Sequence, residues 1–160
     1  MALTSTVVQA TPGIKMYTAT EATAGTLPTT GWQEIANIVD LPEYTAARAG
    51  LDYTPISETV AHKYIPGLID GGDSWTFTVN MSEDFVTAWN ALEASATTAF
   101  AGGLATWFAI VVPGWANALY IAGIPNQILW AGAGVDEVFQ GDASITVTDA
   151  SKGWAAKPTV

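Results

Sequence analysis

Hydrolytic chemistry asks for a nucleophile, a base and a group that orients the base, and this chain has a single histidine, His62, to offer as that base. No serine lies in a G-x-S-x-G elbow, and there is no cysteine to act as nucleophile, thiolate ligand or disulfide partner. With one histidine and no cysteine, a zinc ion would have to be held mainly by carboxylates, a donor set zinc rarely takes. Asp70 and Asp73 flank Gly71-Gly72, an oxygen-rich turn that suggests calcium. The D-x-[DN]-x-[DN]-G register is absent, however, and a turn closed by local Asx hydrogen bonds is the simpler use. The 15 acidic residues offer many carboxylate pairs for glycoside hydrolysis, and context singles out none. Phosphate-cradling and dinucleotide fingerprints are missing as well. His62 therefore reads as a polar loop position, and these residues predict no enzyme, no cofactor and no metal site.

Composition narrows the classes further. Lys and Arg total 5 against 15 acids, a formal charge of −10, so the chain should repel nucleic acid rather than bind it. Charged residues are 12% of the chain, well below the roughly 25% of an ordinary soluble domain, while hydrophobic residues reach 49%. A surface so poor in charge is suited to burial against other subunits. Residues 94–135 carry no charged side chain at all, a length that could cross a bilayer. Pro113-Gly114, Asn117 and Pro125-Asn126 interrupt it, and its flanks, Glu93 and Asp136, are acidic, so it reads as buried or subunit-covered strands rather than a membrane span. Residues 1–10 lack the basic and apolar regions of a signal peptide.

The elements that would position any site are mostly strands. Residues 4–10 and 14–18 have strand-like composition, the first lying in an N-terminal arm over 1–13; residues 22–31 read as a surface loop, and 32–41 as a strand ended by Pro42. A long polar stretch, 44–73, follows, with a short strand expected over 54–61; long loops inside compact domains are uncommon unless functional. Residues 74–80 alternate Trp75, Phe77 and Val79 with Ser74, Thr76, Thr78 and Asn80, which predicts a half-buried strand. Ser82 is placed to cap a helix with Glu83 and Asp84 in its first turn, and Phe85, Trp89, Leu92 and Ala96 share one face. Strands are expected at 106–112, 118–122, 127–130 and 144–148, then a tail over 149–160 that is mobile unless a neighbour holds it. One domain over 1–160 results: mainly β, a sandwich or distorted barrel with one flanking helix and a long inter-strand loop.

Within that loop, Lys63-Tyr64-Ile65-Pro66-Gly67-Leu68 followed by Asp70-Gly71-Gly72-Asp73 resembles the loop-to-strand junction of bacteriophage major tail tube proteins. There a K-x-x-P-G-hydrophobic-x-D-G-G pattern precedes an alternating strand. The order of parts over most of the chain is similar too. The resemblance implies a structural subunit of the virion tail, assembled in the host cytoplasm, that forms hexameric rings stacked into a tube through which DNA passes without specific binding. Its partners would be copies of itself, tape-measure protein, and terminator or tip proteins, with no membrane. Carried over by position, the loop places Arg48, Tyr53, Lys63, Tyr64, Pro66, Leu68, Asp70 and Asp73 at subunit or ring interfaces. Ser74, Thr76, Thr78, Asn80, Ser144, Thr146 and Thr148 become candidates for the lumen wall, a face with no basic side chain to hold phosphate. Two departures stand out: these residues leave no room for the family's frequent C-terminal immunoglobulin-like domain, and 94–135 is more apolar than exposed tube surface.

The 7 tryptophans open an alternative, a carbohydrate-binding β module that stacks sugars on exposed rings. Periodicity assigns Trp75 and Trp89 to the core. Trp32, Trp107, Trp115, Trp130 and Trp154 are left between core, interface and sugar platform, with core or interface preferred.

Overall fold

The computed structural model describes residues 13–160. In chain order the elements are β1 (Lys15–Thr20), β2 (Gln33–Ile35), β3 (Ile38–Asp40), β4 (Ala47–Asp52), β5 (Tyr64–Asp70), β6 (Ser74–Asn80), α1 (Glu83–Ala101), β7 (Thr106–Val111), β8 (Asn117–Pro125) and β9 (Gln140–Ala156). The expected strand over 4–10, and nearly all of the expected arm, lie outside the described residues.

Seven strands form one antiparallel sheet in the order β2-β1-β7-β8-β9-β6-β3, and β4 and β5 pair separately. β2 and β3 are the two edges of the large sheet, yet only Ala36 and Asn37 separate them in the chain. A single crossing segment thus touches both edges, and the sheet curls into a nearly closed barrel. The strand expected over 32–41 is split at this crossing, where Asn37 takes a left-handed φ of 65°, a conformation asparagine tolerates better than most side chains. The Asn37 carbonyl accepts from the Asn80 amide at 2.8 Å and its side chain donates to Ser82 Oγ, tying the crossing to both β6 and the helix start.

One face of the sheet gathers Met16, Ile35, Trp75, Phe77, Val79, Phe108, Ile121, Ala143 and Ile145 around Phe85 and Trp89 of α1, which covers the opening. Ser82 caps the helix by accepting from the Phe85 amide, and the helix ends at Gly102, with Gly103 at φ 79°. Trp89 Nε1 donates to the Asn126 carbonyl at 2.8 Å, so the buried indole leaves no unpaired donor.

A second core forms on the other face, where Tyr17, Trp107, Ala109, Ala118, Tyr120 and Ala122 are covered by Trp32 and Leu27 from the loop after β1. β7 and β8 are therefore buried on both sides, which accounts for the lack of charge within those two strands. No helix among the described residues is long and apolar enough to cross a membrane.

Three local expectations are corrected. Residues 127–130 are not a strand; the chain leaves β8, and the Ile128 amide donates to Asn90 Oδ1 of α1 while its side chain is buried. A short apolar run reads alike as strand or as an irregular anchor. Residues 54–61 form no strand either but a turn, the Glu58 amide donating to the Pro55 carbonyl. The expected mobile tail is instead part of β9 through Ala156, paired with β8 from Asn117↔Ala156 to Pro125↔Ile145 and holding Ala155 against the second core. Its Ala, Gly and Lys residues gave no alternation to signal this.

Candidate assembly surfaces

The long polar stretch is a β-hairpin. β4 and β5 pair from Ala47↔Asp70 to Asp52↔Tyr64, with an irregularity between Arg48 and Gly50. Opposite it sits Gly67, where an added Cβ would come within 2.9 Å of the Ala49 carbonyl oxygen, so the close strand approach requires glycine. Almost nothing in the hairpin is buried, although Leu51, Tyr53, Tyr64, Ile65, Leu68 and Ile69 all belong to it or its flanks.

At its root Tyr44 Oη donates to the Gly71 carbonyl at 2.9 Å while the tyrosine ring packs on Trp75, and the Val147 amide donates to the Asp73 carbonyl. Gly72 N–H donates to Asp70 Oδ1 at 2.9 Å, the local Asx turn expected for this aspartate, with Gly72 at φ 78°. At the far end the chain is tied in several places. Asp52 accepts from the Thr54 amide and lies 3.1 Å from His62 Nδ1, Thr54 Oγ1 accepts from the Lys63 amide, and Lys63 pairs with Glu58, which also accepts from the Thr59 and Val60 amides. The Thr54 hydroxyl and amide hold the Asp52 carboxyl below its usual pKa, and the Lys63 ammonium does the same for Glu58.

The hairpin therefore gathers the sequence-predicted interface residues on one projection. Arg48 donates only weakly, at 3.4 Å, to the Gly67 carbonyl across the hairpin; Leu68 is 91% exposed; Pro66 faces Gly50; Tyr53 and Tyr64 are exposed near the tip. Lys63 is taken by Glu58 rather than free. Sequence reasoning missed Ile56 and Val60, which stand at the tip almost wholly in solvent. Two apolar side chains inside a polar run were the available signal.

The polar face of β6 is the second surface. Ser74 pairs with Thr146, Thr76 with Ser144, Thr78 with Asp142 and Asn80 with Gln140, so the predicted wall residues of β6 and β9 share one face, opposite the core face of Trp75, Phe77 and Ile145. Thr148, one step further along β9, is exposed as well. Gln140 and Asp142 join this face unpredicted, because the strand begins earlier than its alternation suggested. Asn126 braces it from the end of β8, donating to Ser144 Oγ and accepting from Thr146 Oγ1, each at 3.0 Å. None of the paired positions is Lys or Arg.

Elsewhere, a hollow of about 460 Å³ holds Glu21 at its base. Burial alone would raise that carboxyl's pKa, but hydrogen bonds from Trp107 Nε1 and the Ala105 and Gly25 amides outweigh it and leave the group below its ordinary value. By accepting these three hydrogen bonds Glu21 staples the loop after β1 to β7. Among the described residues no three His, Asp or Glu side chains converge as a metal site. Of the unassigned tryptophans, Trp32 and Trp107 are core, whereas Trp115, Trp130 and Trp154 are exposed.

These features define a class: a small antiparallel barrel closed by one helix, with an unburied hairpin projecting from it. That class has a solved counterpart. A chain in the cryo-EM structure of the anti-feeding prophage (AFP) baseplate, 6-fold symmetrised, superimposes with a TM-score of 0.55, covering 99% of this chain and 98% of that chain at 9% identity. At such identity the likeness is one of fold, and it runs the length of both chains. No protein-family model and no curated protein matches the sequence.

Proposed function

We propose that this chain is a structural subunit of a phage-tail-like assembly, and within it a tail tube subunit that forms six-membered rings stacked around a lumen for viral DNA. The observation that carries the reading is the β4–β5 hairpin. An isolated two-stranded hairpin is marginal in water, and this one sets Leu51, Ile65 and Leu68 in solvent. Such a feature is stable and soluble in use only when a neighbour covers it. The full-length likeness to a chain of a prophage baseplate, a phage-tail-related structure, supports the same class.

A hairpin that docks on a different patch of the next copy makes a heterologous contact, which closes into rings when the rotation allows and stacks into filaments when it does not. Ser74, Thr76, Thr78, Asn80, Ser144, Thr146 and Thr148, joined by Asp142, would face the lumen. Hydroxyls and a carboxylate give DNA phosphates no counterion to exchange, so a duplex slides rather than sticks. Arg48, Tyr53, Lys63, Tyr64, Pro66, Leu68, Asp70 and Asp73 would lie at contacts between subunits or rings. The partners are other copies, a tape-measure protein within the growing tube, and terminator and tip proteins at its ends; the place is the virion tail, after assembly in the host cytoplasm. No catalytic step is needed.

The glycan-binding alternative has its foothold in the exposed rings of Trp115 and Trp154, 5.4 Å apart, and of Trp130, 6.0 Å from Phe139, but the two pairs tilt at 45° and 48° instead of offering a flat platform. Negative-stain electron microscopy with sedimentation over a concentration series tests the main reading. Rings or hollow tubes are the expected result; monomers at every concentration, with tryptophan fluorescence that responds to glycans, would replace it with the alternative.

A further inference from the structure

Two pairs of aromatic rings lie at opposite ends of the β8–β9 pair. Trp115 and Trp154 meet beside the start of β8, where Asn117 pairs with Ala156, and Trp130 and Phe139 meet in the segment 126–139 that joins the end of β8 to the start of β9. The nine residues of β8 put roughly 25 Å between these ends. All four rings are at least 41% exposed, in a fold that buries Trp32, Trp75, Trp89 and Trp107.

The segment 126–139 is held from beneath. Ile128 and Ala131 are buried, the Ile128 amide donates to Asn90 Oδ1, and the Phe139 carbonyl accepts from the Met81 amide. What it leaves in solvent is apolar, with Leu129, Val135 and Val138 exposed beside Trp130. Apolar groups already fixed in place lose little freedom when a partner covers them, and aromatic anchors are enriched where proteins meet.

The two ends differ in sign. Residues 126–139 include Asp136 and Glu137 and no base, whereas residues 112–116 and 154–160 include Lys157 and no acid. The Lys157 amide donates to the Ala116 carbonyl, which sets the lysine next to the turn that carries Trp115. Asp136, Glu137 and Lys157 are in no ion pair among the described residues, unlike Lys15 with Glu34 and Lys63 with Glu58. Lys152 adds nothing to this end, since it lines the Glu21 hollow together with Asp149.

We propose that copies stack head to tail through these ends, the Trp115–Trp154 face with Lys157 of one copy covering the Trp130–Phe139 face with Asp136 and Glu137 of the next. The inference rests on the assembly reading above and names an axial contact for it, separate from the hairpin. Each copy has one face of each kind, so the contact is heterologous and leaves both ends of a stack open for growth. Sign decides the pairing: two acidic faces repel, and in a chain with 15 acids and 5 bases an unpaired lysine beside exposed rings favours the acidic face over a copy of its own.

Charge exchange tests it. Asp136→Lys with Glu137→Lys makes both ends basic, and Lys157→Glu makes both acidic; each should keep the monomer's circular dichroism and raise the concentration at which tubes form by about tenfold or more. Combining all three substitutions restores opposite signs and should restore tubes. Because the chain has no cysteine, Val135→Cys with Thr159→Cys, both exposed positions, gives a reading that leaves every charge in place. A short bis-maleimide should link that variant into a ladder of oligomers, and either single cysteine into no more than a dimer. Tubes formed as readily by the single-end variants, no recovery in the combined chain, or no ladder would overturn these faces as the stacking contact while leaving the tube reading intact. A wild-type protein that stays monomeric at every concentration would sink both.

Discussion

β6 and β5 are strands of equal length a few residues apart in the chain, and they are held by different forces. In β6 every second side chain enters a core shared with α1, and Trp75, Phe77 and Val79 are buried while Ser74 and Thr76 meet solvent. In β5, Ile65, Leu68 and Ile69 all remain exposed, and the strand is kept by its partner β4, by Tyr44 at the root and by side-chain hydrogen bonds at the tip. The barrel is thus stabilised by what it removes from water inside one chain. The hairpin still has apolar area exposed to water, and it is on that area that the assembly reading rests.

The comparison can be broken by substitution. Trp89→Ala should have the largest effect on the monomer, about 3–5 kcal/mol, since the ring fills the core beneath the sheet and its N–H closes on Asn126; chemical denaturation checks it. Gly123→Ala should cost about 1–3 kcal/mol, because a Cβ there would come within 2.6 Å of the Thr146 carbonyl oxygen where β8 crosses β9. Ser82→Ala removes the acceptor for the Phe85 amide and should cost about 1 kcal/mol, read as a lower thermal midpoint. Leu68→Ser should change monomer stability by no more than about 0.5 kcal/mol, because the residue is exposed, and yet reduce tube yield severely. If Leu68→Ser unfolded the monomer, the contrast between the two regions would fail.

Acid sharpens it from another side. Glu21 has a lower pKa folded than its ordinary 4.5, so the carboxylate stabilises the barrel above that value, and the contribution is lost as pH falls through the folded pKa. Glu21→Gln should weaken the fold near neutral pH and show a smaller further loss on acidification. Urea midpoints taken at both ends of that range measure the difference.

The barrel was legible where burial leaves a pattern. Alternation in residues 74–80 and helical spacing from Phe85 to Ala96 both follow from one buried face, and both elements are where those patterns put them. Two-sided burial erased the alternation in β7 and β8, whose strands were read at 106–112 and 118–122 from the turn signals that separate them. The far half of β9 was illegible because it is stabilised by backbone pairing with β8, and backbone hydrogen bonds leave no mark on side-chain order. The hairpin resisted reading for the same reason, compounded by apolar residues that face no core. The Asx turn at Asp70 could be read because a glycine pair after an aspartate has one common local use.

β9 imposes an order of events during synthesis. β6 and β8 do not pair with each other; β9, the last described strand in chain order, lies between them and joins the two. A nascent chain can pair β1 with β7 and β7 with β8, and can dock α1, but until residues 140–156 leave the ribosome the sheet stays in two pieces, β3–β6 and β2–β1–β7–β8, joined by the β2–β3 crossing and by α1. The hairpin root waits as well, since the Asp73 carbonyl receives its hydrogen bond from Val147. Emergence of one strand therefore acts as a timer: the hydrogen bond from Val147 that completes the hairpin root, begun by Tyr44 on Gly71, forms only after most of the described chain has been translated.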